Sequence, residues 1–95
     1  EENMDKIMEK AVVTVVGKDA VGILSKVSKA CAEANANVID VSQSVLTEIF
    51  CMIMIIDISE LSIPLDELKK NIEAEATGMT IHVMHENIFN AMHRI

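Results

Sequence analysis

The chain has 95 residues, enough for one small domain, and 51% of them are hydrophobic, which excludes a disordered chain. Its 15 acidic and 8 basic residues leave a net charge of −7, and it lacks Trp and Tyr; this composition argues against nucleic acid and anionic membranes as partners. No apolar stretch reaches the roughly 18 residues of a spanning helix, no signal peptide is visible at the N-terminus, and Cys31 and Cys51 lack CxxC spacing. Two buried thiols in a reducing compartment, and hence a cytoplasmic protein, are the expectation.

Residues 1–8 read as a flexible N-terminus or an expression remnant, and 9–95 as a single domain. Ala11 to Val16 is a short apolar run rich in β-branched residues, the pattern of a central strand. The stretch Gly17-Lys18-Asp19-Ala20-Val21-Gly22 follows, holding two of the three glycines. Their placement predicts a tight, special connection. Asp19 suits the N-cap of a helix opening at Ile23, and the free N–H groups and positive dipole end there suit a carboxylate or phosphate. The simpler alternative is a plain strand-to-helix turn in which Gly22 permits close packing.

Ile23, Val27, Ala30 and Ala34 recur at helical spacing, with Lys26, Lys29 and Glu33 opposite, so an amphipathic helix is predicted. It ends near Asn35-Ala36-Asn37, where Asn tolerates the left-handed conformation. Val38 to Thr47 reads as a strand in which Ile39, Val41, Gln43 and Val45 alternate with Asp40, Ser42 and Ser44. The apolar run Ile49 to Ile58 predicts a second strand paired with it as a hairpin and buried on both faces, one of them against a second subunit. Pro64 suits the first turn of a second helix carrying Leu65, Leu68 and Ile72, which stops at Gly78. Met79 to Met84 returns as a strand, and Glu86-Asn87 would cap a last short helix with Ile88, Ala91, Met92 and Ile95 at helical spacing. The order β-α-β-β-α-β predicts the ferredoxin-like α+β sandwich, a four-stranded antiparallel sheet with two helices on one face, plus the C-terminal helix.

Chemistry-bearing residues are sparse. Cys31 with a histidine is the one formal nucleophile pair, and Cys31 falls on the apolar side of its helix. Asp19 with Asp40 is a formal acid–base pair whose meeting the sequence does not show. His82, His85 and His93 form a candidate metal set, although the spacing of the first two puts them on opposite faces of a regular strand. The seven methionines read as packing of an aliphatic core. The expectation is a non-enzymatic chain without cofactor or metal.

The segment around Gly17-Lys18-Asp19-Ala20-Val21-Gly22-Ile23, with Asn37-Val38 opening the second strand, Asp40 to Leu46 within it and the ending Ile88-Phe89-Asn90-Ala91-Met92, resembles the ACT domain, and most of all its small stand-alone members of the UPF0237 group. The resemblance spans Met8 to Ile95. It implies a regulatory domain that senses a small molecule, most often an amino acid, at an interface in a homodimer or higher oligomer, with a separate regulated protein as partner. The site residues it implies are Asp19, Ala20, Val21, Gly22, Ile23 and Asn37. The commoner family loop carries Pro directly before the second Gly, where this chain has Val21, and the turn is correspondingly less rigid. A zwitterion would use backbone N–H groups from Val21 to Ile23 for its carboxylate, and Asp19 with the Asn37 amide for its ammonium. Two alternatives remain: an interaction module that docks a protein through its open sheet face and terminal helix, and a metal sensor built on the three histidines.

Overall fold

The computed structural model describes residues 8–18 and 21–92; the expectations for 1–7, and the positions of Met4, Asp19, Ala20, His93 and Ile95, lie outside the described residues. Seven elements follow in order: β1 (Lys10–Gly17), α1 (Ile23–Glu33), β2 (Asn37–Leu46), β3 (Ile49–Asp57), α2 (Leu65–Glu75), β4 (Thr80–His85) and α3 (Glu86–Met92). The strands form one antiparallel sheet in the order β2-β3-β1-β4, the ferredoxin-like arrangement that the element order predicts.

Strand alternation selects the core. Ala11, Val13 and Val15 of β1, Phe50, Met52, Met54 and Ile56 of β3, and Ile81 of β4 point to one face. There they meet Val27, Ala30 and Cys31 of α1 and Leu68 and Ile72 of α2. Met52, Met54, Leu68 and Ile72 are fully buried, each stabilising the fold by about 1.5–3 kcal/mol. Helix α1 stops as its asparagine suggests: Asn35 sits at φ 65°, its N–H donates to Ala32 and the Ala36 N–H donates to Cys31. The Asn35 side chain also donates to the Glu60 carbonyl at 3.0 Å, which ties the end of α1 to the loop before α2. Pro64, at φ −65°, precedes α2 and its carbonyl accepts the Leu68 N–H. Gly78, at φ 91°, turns the chain into β4.

Two expectations are corrected, and a third is seen only in part. Within the single chain, strand β3 is buried on one face: on the other, Ile53 is 42% exposed and Ile49 37%, while Cys51 and Ile55 are half-buried. An unbroken apolar run does not reveal whether the chain itself covers both faces. Strand β2 is an edge, exposed along almost its whole length, and a bulge between Val38 and Asp40 takes Ile39 out of the pairing and out of the simple alternation. The last helix begins at Glu86 and is capped by neither Glu86 nor Asn87. Instead the Asn87 N–H donates to Nδ1 of His85, whose Nε2 lies 3.3 Å from Glu9 Oε1.

The position of α3 is itself informative. It touches β1 and β4 and, among the described residues, neither α1 nor α2. It follows His85 directly, at the end of the sheet where His85 pairs with Ala11, and Val16, Thr80 and His82 at the other end of the face opposite α1 and α2 stay exposed. Val12, wholly buried yet outside the helix-side core, has its side chain on that face.

Candidate functional site

Strand β1 delivers the chain to the glycine bend. Gly17 ends the strand, and a Cβ there would displace the flexible thioether end of Met79 while standing 3.4 Å, an ordinary contact, from Met79 Cα. Gly22 is different: it sits at φ 71°, and the nearest atom to an added Cβ is Lys26 Cε at 3.9 Å. It is present for its left-handed backbone and not, as the packing alternative supposed, for close approach. Gly22 also occupies the N-cap position expected of Asp19, and it has no side chain with which to cap. The first bond of α1 runs from the Lys26 N–H to the Gly22 carbonyl at 3.0 Å. The N–H groups of Ile23, Leu24 and Ser25 come before it and have no acceptor within the helix.

The bend faces solvent. Val21 is 82% exposed and Lys18 and Gly22 are exposed, whereas the Ile23 side chain is buried in the core, leaving only its backbone to a ligand. Asp19 and Ala20 lie between these residues, outside the described ones. Asn37, exposed at the first position of β2, stands elsewhere: it pairs with Asp57, which pairs with Lys10 at the start of β1. From Lys10 to Gly17 is seven residue steps along β1, about 23 Å at roughly 3.3 Å per residue. Of the predicted site residues that are described, Val21, Gly22 and Ile23 therefore follow one end of the sheet and Asn37 stands at the other. Beside Asn37, hydrogen bonds from the Ser59 N–H (2.9 Å) and hydroxyl hold the Asp57 carboxyl below the usual carboxylate range, and the Lys10 ammonium adds to this.

The other candidates resolve separately. Cys31 is wholly buried, and burial pushes its thiol up to about 11, the wrong direction for a nucleophile. Cys51, expected buried, is half-buried on the sheet face away from α1 and α2. Asp40 accepts the N–H of its neighbour Val41 at 2.9 Å. His82 is exposed on β4 and His85 is engaged as described; among the described residues, no three His, Cys, Asp or Glu side chains come together to hold a metal. Met52 and Met54 pack the core, Met79 packs on Gly17, and Met8 and Met92 are exposed. Lys29 reaches Glu75 (3.5 Å) and Lys69 reaches Glu73 (3.0 Å), surface pairs of small energetic weight. No helix of the described residues is long and apolar enough to cross a membrane. The capping role of His85 was missed from sequence, although a histidine directly before Glu86-Asn87 was its available signal.

Comparison with known proteins gives concordant matches. The ACT domain family model matches residues 9–86. A UPF0237 protein of Methanocaldococcus jannaschii is 44% identical over 90 residues, covering 93% of this chain and 100% of its own. A UPF0237 protein of Listeria innocua is also 44% identical, over 88 residues, covering 90% and 99%. Among solved structures, an ACT domain protein from Streptococcus pneumoniae superposes with a TM-score of 0.73 at 36% identity, covering 90% of this chain and 99% of that one.

Proposed function

The chain belongs to the ACT-domain family, whose members are typically regulatory small-molecule-binding domains, and on that premise we propose that it senses an amino acid at an interface between two copies of itself. The observation that carries the reading is the start of α1, where the N-cap in an exposed bend is a glycine with no side chain to bond the first N–H groups of the helix. These donors and the positive helix end receive the ligand carboxylate. Asp19 accepts from the ammonium, Ala20, Val21, Gly22 and Ile23 line the bend with backbone, and the Asn37 amide completes the polar contacts.

Asn37 reaches the bend only from another copy. Among the described residues, the outer edge of β2 has no neighbouring strand. If two β2 strands pair antiparallel about a two-fold axis, Asn37 of one copy comes beside Leu46 of the other, at the end of the sheet that carries the bend. A ligand held between the copies then favours one packing of the pair over another, and its regulatory effect on a separate protein is bounded by that difference in affinity. No catalytic step is assigned.

Calorimetric titration of the full chain with each of the twenty amino acids tests the reading. Saturable heat from one amino acid or a small related group is expected, and its loss in Asn37→Ala. Absence of both heat and thermal shift at millimolar concentrations for all twenty would overturn it.

A further inference from the structure

The histidine that ends β4 uses both of its ring nitrogens. The Asn87 N–H donates to His85 Nδ1 at 3.2 Å. A backbone N–H can only donate, so Nδ1 carries a lone pair and the ring hydrogen sits on Nε2. Nε2 lies 3.3 Å from Glu9 Oε1, which accepts that hydrogen. Glu9 is itself held in place: its N–H donates to Ser59 Oγ at 3.0 Å and its carbonyl accepts the Ile58 N–H at 2.8 Å. The half-buried ring is thus clamped between a fixed carboxylate and the first turn of α3. That helix has little else to hold it. None of its seven described residues is buried, and it touches only β1 and β4. A helix of two turns does not persist in water without an anchor. The other charges nearby are Glu86 at the start of α3 and Lys10, next to Glu9 and paired with Asp57; α2, which also packs on β4, carries Asp66 and Glu67 in its first turn. Among the described residues, only Glu9 comes within ion-pair distance of the ring.

We propose that His85 is a proton-operated latch for α3: the neutral ring fastens the helix to the end of β4, and the protonated ring lets it go. Uptake of a proton turns Nδ1 from an acceptor into a donor, so that two donors face each other across the 3.2 Å contact. The bond is lost. The new positive charge also stands at the positive end of the α3 dipole, which disfavours the helix further. The contact with Glu9 changes in the opposite sense. It becomes a charge-assisted bond between imidazolium and carboxylate, so the ring stays with the strand and α3 is the part that separates. One proton therefore strengthens the bond on Nε2 and breaks the bond on Nδ1, and only the second of these involves the helix. Imidazole is the side chain whose ordinary titration falls between pH 5 and 8, so mild acid is enough to work the latch. None of these residues belongs to the proposed amino-acid site, and the latch acts with or without a ligand there.

The test is NMR of the full chain, without any amino acid, at about pH 7.5 and about pH 5.5, which bracket the titration of an ordinary imidazole. The helical Cα chemical shifts of Ile88, Phe89 and Asn90 are expected to fall by about half or more on acidification, in step with the ring shifts of His85, while those of β1 and α1 stay as they are. His85→Asn supplies an acceptor that does not titrate and should keep the helical shifts at both pH values. His85→Ala supplies none and should show the low shifts at both. His82→Gln and His93→Gln should behave as the wild type. Unchanged α3 shifts in the wild type, an equal acid-induced loss in His85→Asn, full helical shifts in His85→Ala, or no loss in His82→Gln or His93→Gln would each overturn the proposal. A loss of the β1 and α1 shifts together with those of α3 would overturn it as well, since acid would then unfold the domain instead of releasing one helix.

Discussion

Replacing Gly22 by Ala separates the two roles a glycine can have in the bend. At φ 71° an L-side chain costs about 1–2 kcal/mol, and an alanine also restricts the unfolded chain, returning roughly 0.4–1 kcal/mol. No steric term enters, since the nearest atom is a lysine methylene at 3.9 Å. The net expectation is a loss of about 1 kcal/mol, read by urea denaturation, or roughly 4–8 °C in Tm for a domain of this size. Gly22→Asn should lose less, because Asn tolerates this backbone. Gly17→Ala supplies the contrast, as its cost is displacement of the Met79 thioether and should be relieved in part by Met79→Ala, which cannot relieve Gly22→Ala. A Gly22→Ala chain more stable than wild type would refute the left-handed assignment and with it the account of Gly22 as the N-cap.

Three further outcomes follow from individual residues. Asn35→Ala should cost about 1 kcal/mol, through the left-handed backbone and the lost bond to Glu60, whereas Asn35→Gly should recover the backbone part; chemical denaturation reads both. Thr47, a β-branched residue at φ 61° in the two-residue β2–β3 turn, is strained, so Thr47→Gly should raise stability by roughly 0.5–1 kcal/mol. The Cys31 thiol titrates near 9 when unfolded and at about 11 when folded, so the folded state keeps a proton that the unfolded state releases. Its contribution is complete below about pH 9 and is lost as pH rises toward 11, by up to about 3 kcal/mol. The stability gap between wild type and Cys31→Ala should therefore narrow between about pH 8 and pH 10.5.

The elements were legible because their signals are local: β-branched runs, the helical recurrence of Ile23, Val27 and Ala30, an asparagine at the end of α1 and a proline before α2. What stayed hidden depends on partners distant in sequence. The run in β3 says that its residues are apolar but not that α3 contacts only β1 and β4, so that Ile53 is left 42% exposed in the single chain. The Ile39 bulge arises in the pairing with β3, which the sequence of β2 alone does not encode. Asp19 looked like the cap because acidic residues often are, yet the backbone of Gly22 determines where α1 begins. Asn37 and the bend are both readable as polar or glycine-marked positions, whereas their separation along the sheet follows only from register.

That separation makes the shared site directly measurable. Asp19→Ala and Asn37→Ala each damage one half, so neither homodimer should bind an amino acid that the wild type binds. When equal amounts are unfolded together and refolded, half of the dimers are mixed and each carries one undamaged site, so about a quarter of the wild-type binding capacity should return. A mixture that binds no more than its two components alone would contradict a site built across two copies.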